Sequence, residues 1–336
     1  MRSIITLLII CFGLATVHAQ SIDSLFALLE KQKTLDVEDA NELIRLLDEE
    51  EYADSLYRFT SESEQKEMRL RIYSNVAYYY YMKSAFQASV QLTEKAISLA
   101  QELRDTLAWS DNLAQQSISY QRLGNLEMAI RTTLDGLYLD SLLQDTLRLS
   151  STYNNLADLY LTAQRPEDGK QYIDHAIELE HSQAHPEKLS IRYGMAAELY
   201  VKLGLLPEAL DFACKAYALD MKSGDTLKIA RRLSQMGDVY AAMQNLDEAE
   251  KVYRKSSELL ELLDERTSLA INYKQMGGLH IRKGNLLLAI RYLEKSATIA
   301  EEIGNKYLLR LVYEKLYRLY RPDRPALALE YMEKFS

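Results

Sequence analysis

Residues 73–80 read Tyr-Ser-Asn-Val-Ala-Tyr-Tyr-Tyr, and the last tyrosine of this stretch returns every forty residues. Its position holds, in chain order, Tyr80, Tyr120, Tyr160, Tyr200, Tyr240, His280 and Tyr320. The residue three places earlier is small in the first six copies: Ala77, Ser117, Ala157, Ala197, Gly237 and Gly277. Self-similarity at one fixed period is typical of a repeat protein.

The spacing inside each copy predicts packed helices. Tyr73, Val76, Ala77 and Tyr80 lie at offsets of three, four and seven residues, which places them on one face of a helix. Small residues on that face let a second helix approach closely. A second small series follows sixteen residues after the tyrosine: Ala96, Gly136, Ala176, Ala216, Ser256 and Ser296. Each copy therefore predicts a helical hairpin, with helices near residues 66–82 and 86–103 in the first clear copy.

The residues between the helices predict how the helices end. Glycines at 124, 204 and 284 suit a helix end with left-handed backbone geometry, and Gln164-Arg165-Pro166 and Gln244-Asn245 take this place in other copies. An Asp-Thr-Leu triplet begins at Asp105, Asp145 and Asp225. An aspartate before an apolar run is a typical helix N-cap, so we expect the next copy to begin there.

At these positions the chain resembles the tetratricopeptide repeat family, whose pattern is W-x2-L-G-x2-Y, then A, then x3-F, then P. The tryptophan position of that pattern is filled here by Tyr73, Leu113, Tyr153, Tyr193, Leu233 and Tyr273. The chain departs from the pattern at the phenylalanine position, which holds Thr93, Thr133 and Ala213, and in its period of forty residues. The resemblance implies an all-α, right-handed superhelical solenoid of helix-turn-helix repeats with longer helices than usual.

The pattern divides the chain into four predicted segments. Residues 1–19 are a predicted signal peptide and residues 20–64 a degenerate N-terminal helical cap. Residues 65–308 hold six repeats, and residues 309–336 a partial seventh.

The signal peptide is predicted from Met1-Arg2-Ser3, an apolar run from Ile4 to Val17, and the small-residue cleavage pattern ending at Ala19. The run is too short to span a bilayer. A buried first helix is the alternative. The preferred interpretation makes the protein exported, periplasmic or otherwise extracytoplasmic.

Composition excludes several function classes. The formal charge is −9, so the chain offers no basic stripe for nucleic acid. Of its two cysteines, only Cys214 would remain after signal cleavage, which excludes an intramolecular disulfide.

We find no motif for catalysis, nucleotide binding or metal binding, and we expect no enzyme activity and no cofactor. His181 and His185, four residues apart and close to His175, are the best candidates for metal ligands, but His185 precedes Pro186 and is predicted to lie in a junction loop. We expect Cys214 and His280 to be core residues.

The resemblance implies that binding occurs on a concave surface lined by the first helices. The position one residue after the small residue lies on that side, and it holds Tyr78, Ile118, Asp158, Glu198, Asp238 and Gly278. The candidate groove residues are Tyr78, Tyr81, Asn154, Asp158, Glu198, Arg231, Asp238 and Lys274. Acidic residues in the middle favour a basic protein or peptide as partner. The alternative for Tyr78 and Tyr81 is that they cover the preceding segment.

The last residues leave an apolar stripe, Leu329, Met332 and Phe335, that no later residue covers. We expect a continuation beyond Ser336 or self-association through this edge. The chain is also similar to the extracytoplasmic sensor regions of bacterial signalling proteins. This resemblance implies a membrane tether and a histidine kinase or helix-turn-helix output domain that would follow Ser336.

Overall fold

The computed structural model describes residues 66–183 and 185–335. The predicted signal peptide, residues 1–19, and the predicted cap, residues 20–64, lie outside these ranges. The described residues form α-helices and no strand, which confirms the all-α prediction. None of the described helices has the length and apolar character that crossing a membrane requires.

The chain divides after Gln144 into two compact units. The first unit holds α1 (Lys66–Met82), α2 (Phe86–Leu103), α3 (Thr106–Arg122) and α4 (Leu126–Leu143). The second unit begins with α5 (Thr146–Thr162), α6 (Pro166–Gln183), α7 (Pro186–Lys202), α8 (Leu206–Ser223) and α9 (Thr226–Ala242). It ends with α10 (Leu246–Leu262), α11 (Arg266–Arg282), α12 (Leu286–Glu302), α13 (Lys306–Tyr320) and α14 (Pro325–Phe335).

The helices follow the predicted period. The odd-numbered helices, which open each repeat, begin at Lys66, Thr106, Thr146, Pro186, Thr226, Arg266 and Lys306. Each packs most extensively against the helix that follows it, and within each unit every hairpin packs on the next. This arrangement confirms solenoid-type stacking of helix-turn-helix repeats with a period of forty residues.

The small residues form the seam inside each hairpin. Ala77, Ala157 and Ala197 are fully buried. At Gly237 the seam has no room for a larger side chain, since a Cβ there would lie 2.5 Å from the Tyr253 ring. Close helix approach therefore depends on this position, as the sequence predicted.

The predicted helix ends are also present. Gly124, Gly204 and Gly284 have positive φ angles, and Gln164 and Gln244 take the same geometry in the other hairpins. The Asp105 carboxylate accepts a hydrogen bond from the Ala108 amide at 2.9 Å. The corresponding N-cap bonds of Asp145 and Asp225 are made in the second unit. These caps satisfy amides that a helix leaves unpaired at its start.

Tyrosine hydroxyls join successive repeats of the second unit, which the sequence did not predict. Tyr200 donates to Asp174 of the preceding repeat at 2.8 Å, and Tyr320 donates to Glu294 at the same distance. Both pairs span 26 residues, so the bond recurs with the repeat. The recurring tyrosine therefore fills the seam with its ring and links two repeats with its hydroxyl.

At the C-terminal edge of the second unit, Ala328 is buried whereas Leu329 and Met332 of α14 are exposed. Exposure of these two side chains agrees with the apolar stripe expected from the sequence.

Candidate functional site

Three predicted carboxylates occupy equivalent positions on neighbouring helices of the second unit. Asp158 lies on α5, Glu198 on α7 and Asp238 on α9. These first helices contact each other, α5 with α7 and α7 with α9. We call the surface formed by the three carboxylates the acidic face.

Glu198 is electrostatically coupled to the other two carboxylates. Its pKa is raised, first because surrounding protein atoms remove part of its hydration, and then because Asp238 and Asp158 add negative charge nearby. Arg232 and a hydrogen bond from Gln235 oppose this rise in pKa. The side chain nevertheless remains accessible to solvent. Glu198 therefore lies at the centre of a shared negative potential.

Asp238 has partners within the protein. The Tyr253 hydroxyl donates to its Oδ1 at 2.5 Å, and the Gln275 side chain acts to lower its pKa. Burial raises the pKa of Asp238, while Tyr253, Lys274, Gln275 and Arg282 act in the opposite direction. Tyr253 reaches this carboxylate by crossing the hairpin beside Gly237. The Asp238 carboxylate is thus compensated by more groups of the protein than the Glu198 carboxylate is.

The other polar candidates of the second unit have different environments. Asn154 is 8% exposed, and its Oδ1 has no hydrogen-bond partner. Lys274 is half-buried, and burial lowers its pKa although Asp238 acts to raise it. Arg231 is exposed and donates to Ser268 at 3.2 Å, with Glu265 at 3.7 Å. Arg231 is therefore engaged with the next repeat.

In the first unit, the candidates are aromatic. Tyr78 is exposed and stacks on Tyr81, with ring centroids 6.4 Å apart. Tyr81 also contacts Phe86 at 5.6 Å. Ile118 occupies the position equivalent to Tyr78 on α3 and is exposed too. This part of the first unit presents an apolar surface without carboxylates at the corresponding position.

A set of buried polar pairs was missed by sequence reasoning. Ser110, Ser150 and Ser190 each donate to an acidic residue thirty positions later, at 2.6 Å, and these acceptors are Asp140, Glu180 and Asp220. Later repeats have Ala230 with Leu260 and Ala270 with Ala300 in these positions. The recurrence of serine and acid at forty-residue spacing was the signal that could have predicted the pairs.

In the second unit, arginines from the next repeat reach two of these buried acids. Arg192 lies 3.6 Å from Glu180, and Arg232 donates to Asp220 at 3.0 Å. Burial lowers the pKa of Arg192, and Glu180 opposes that effect. A buried carboxylate requires such a partner, because an unpaired buried charge is costly.

The histidines and Cys214 have separate environments. His175 is exposed, His181 is hydrogen-bonded to the Tyr193 hydroxyl at 2.7 Å, and His185 lies at the junction 3.5 Å from Glu180. No group of three metal-ligating side chains converges within residues 66–183 and 185–335.

The prediction that Cys214 is a core residue was wrong, because its side chain is exposed. It follows the buried seam residue Ala213 and projects from the outer side of α8. His280 is buried, as predicted.

Comparisons with known proteins identify the repeat. Residues 150–181 and 228–302 match family models described as tetratricopeptide repeat. These two segments of the chain are tetratricopeptide repeats. No curated protein matches the sequence.

Solved structures resemble these tetratricopeptide repeats in fold. The apo form of RapI has a TM-score of 0.65 and 15% identity, covering 81% of this chain and 100% of that chain. The apo form of the quorum sensor NprR from B. thuringiensis has a TM-score of 0.63 and 17% identity, covering 94% and 92%. A Rap protein complexed with competence and sporulation factor has a TM-score of 0.61 and 13% identity, covering 89% and 90%.

Proposed function

We propose that the chain is a noncatalytic scaffold whose second unit binds a protein or peptide segment rich in lysine or arginine. The segment would lie on the acidic face formed by Asp158, Glu198 and Asp238. The protein would act by holding this partner and not by transforming it.

The observation that carries this proposal is the coupling at Glu198. Its pKa is raised by Asp238 and Asp158 in addition to burial, so Glu198 is exposed to the negative charge of both carboxylates. A bound cation would relieve this repulsion, because opposite charge stabilises the ionised carboxylates. Like charges on a shared surface also increase the rate of encounter with a cationic partner.

The structural neighbours support the general class of partner. The Rap protein among them is described in complex with competence and sporulation factor, and NprR is described as a quorum sensor. Those descriptions favour a protein or peptide partner here too.

The experiment is to measure binding of a fluorescent, capped hexalysine peptide to the full chain at low salt. The test variant is Asp158→Asn, Glu198→Gln and Asp238→Asn combined. The control variant, Glu167→Gln, Glu208→Gln and Glu258→Gln, removes the same charge from exposed positions on second helices of the second unit.

We expect the test variant to lose roughly tenfold or more in affinity, together with much of the salt dependence, since close charge pairs at interfaces contribute at least about 1.5 kcal/mol. The control variant should retain most of the affinity. Equal losses in both variants would contradict the proposal, because attraction would then depend on net charge alone.

We also propose that the protein is exported, on the basis of the pattern ending at Ala19. Mass spectrometry of the protein isolated from its native cells should find an N-terminus at Gln20. An intact N-terminus at Met1 would contradict export by this signal.

A second candidate function is the sensor region of a membrane-bound signalling protein. One neighbour is described as a signal transduction ATPase with a tetratricopeptide repeat sensor, with a TM-score of 0.61 and 17% identity. Membrane fractionation of the native gene product tests this candidate, because a membrane-bound signalling protein requires a membrane tether. Recovery of the whole product in the membrane-free fraction would exclude this candidate function.

A further inference from the structure

A continuous series of hydrogen bonds links the buried Asp220 carboxylate of the second unit to Glu198. Asp220, buried in α8, accepts from Ser190 at 2.6 Å and from Arg232 Nε at 3.0 Å. Arg232 Nη1 then donates to Gln235 Oε1 at 3.0 Å. Gln235 Nε2 donates to Glu198 Oε1 at 2.8 Å. The position of Glu198 is therefore coupled to a rigid, buried ion pair.

The backbone of α7 leaves space for the side chains that form these hydrogen bonds. A Cβ on Gly194 would lie 1.9 Å from Arg232 Nη1, so only glycine leaves space for the guanidinium in this position. The Gly194 carbonyl also accepts from Gln235 Nε2 at 2.7 Å. Gln235 is thus fixed at both its oxygen and its nitrogen.

The other two carboxylates of the acidic face are held differently. Met195 occupies the position equivalent to Gln235 in the preceding repeat, and a thioether has no hydrogen to donate to Asp158. Asp238 accepts a hydrogen bond from Tyr253, and Gln275, Lys274 and Arg282 also act to lower its pKa. Glu198 combines a fixed position with an accessible carboxylate, whereas the Asp238 carboxylate is less exposed.

A separate observation is an unsatisfied acceptor on α5. The Oδ1 atom of Asn154 is buried and receives no hydrogen bond from the residues that the structure describes. Asn154 lies one helical turn before Asp158, on the same face of α5. Buried acceptors are almost always satisfied in proteins, so a bound N–H group would complete this site.

We propose that Glu198 anchors a lysine or arginine side chain of the bound segment, and that Gln235 and Arg232 are positioning residues that fix its carboxylate. An N–H group of the same segment donates to Asn154. This inference rests on the proposed function. Fixing the carboxylate before binding reduces the conformational entropy that binding would otherwise cost.

The test uses the full chain and the capped hexalysine peptide. Gln235→Met removes the donor to Glu198 and introduces the residue that Met195 already supplies one repeat earlier. Gln275→Met is the matched control, because Gln275 occupies the equivalent position one repeat later and acts on Asp238. Circular dichroism melting curves verify that both variants are folded.

We expect Gln235→Met to weaken hexalysine binding roughly fivefold to tenfold, the effect of one hydrogen bond to a charged group. Gln275→Met should stay within about twofold, since Tyr253 still holds Asp238. Carboxyl-carbon NMR should show a higher pKa for Glu198 in Gln235→Met, because the lost hydrogen bond favoured the ionised form. A purely structural role for Gln235 would not move this titration.

The reverse variant is Met195→Gln, which gives the preceding repeat the amide side chain that fixes Glu198. It should strengthen hexalysine binding, and it provides a second test if Gln235→Met proves unstable. If Glu198→Gln weakens binding while Gln235→Met and Met195→Gln both bind as the wild type does, the positioning role is wrong and the proposed function stands. If Glu198→Gln also binds as the wild type does, the proposed function itself fails.

Discussion

The position one residue after the small seam residue holds Tyr78 and Ile118 in the first unit, but Asp158, Glu198 and Asp238 in the second. Both units are built from the same hairpin with the same buried seam. The seam residue is constrained by packing inside the hairpin, whereas the next position holds side chains of different chemistry in the two units. The proposed binding residues of the second unit therefore lie next to the residues that pack the hairpin.

We expect the largest difference in folding stability between variants at residues 157 and 158, because the first belongs to the seam and the second to the acidic face. Ala157→Leu should destabilise the fold by about 1–3 kcal/mol, because the seam is fully packed. Asp158→Asn should change stability by less than about 0.5 kcal/mol. Chemical denaturation measures both. Similar losses of stability in the two variants would contradict the distinction between the seam and the acidic face.

A second pair of variants compares glycines in the two units. A Cβ on Gly237 would meet the buried Tyr253 ring, whereas a Cβ on Gly136 has Leu113 Cβ 3.8 Å away as its nearest neighbour. Gly237→Ala should destabilise, since overpacking costs about 1–3 kcal/mol against a helix-propensity gain of about 0.5–1 kcal/mol. Gly136→Ala should have the same gain in helix propensity without overpacking, and should therefore stabilise the protein. Denaturant midpoints with the opposite order would contradict the packing described for both units.

The third prediction concerns pH and the buried histidine of the second unit. His280 is 2% exposed, and neither ring nitrogen has a hydrogen-bond partner. Burial lowers its pKa below the unfolded value of 6.5, Arg254 and Lys283 act in the same direction, and Glu250 opposes them. As the pH falls below about 6.5, the unfolded state binds the proton first. The contribution of His280 to folding stability is therefore fully present above this pH and is lost in more acidic solution.

The variant His280→Tyr introduces the residue found at this position in the other repeats. Its thermal midpoint should fall less than that of the wild type between pH 7.5 and pH 5.5. The remaining histidines are common to both proteins, so their contributions cancel in the difference. Parallel pH profiles would show that His280 carries no such effect.

The smallest effect is expected from the aromatic position of the first unit. Tyr78→Ala removes an exposed ring and its stacking with Tyr81, which should cost at most about 0.5–1.5 kcal/mol. Hexalysine affinity, measured by fluorescence anisotropy, should remain unchanged. A loss of affinity as large as that of Glu198→Gln would mean that cation binding extends beyond the acidic face.

The sequence predicted the helices well, because local signals determine them. Gly124 and Asp105 mark a helix end and a helix start, and their backbone geometry is as expected. The position of Asp158 on the first-helix face also follows from its offset to Ala157. Such predictions need only the helical period and the repeat length.

The contacts that give the acidic face its character could not be predicted in this way. The bond from Tyr253 to Asp238 crosses from the second helix of a hairpin to the first, and depends on the space left by Gly237. The path from Arg232 through Gln235 depends in the same way on Gly194. Side-chain paths between helices are determined by packing in three dimensions, which helical periodicity does not specify.

The central claim is that the acidic face of the second unit binds cationic side chains, and carbodiimide cross-linking of hexalysine to the full chain tests it most directly. The reagent activates carboxylates, and a lysine amine in contact with one forms an amide bond whose position mass spectrometry can locate. We predict cross-links at Glu198 and Asp158 that disappear when excess unlabelled peptide or high salt is added. Cross-links concentrated on Glu167, Glu208 and Glu258 of the second helices, with Glu198 unmodified, would contradict the account.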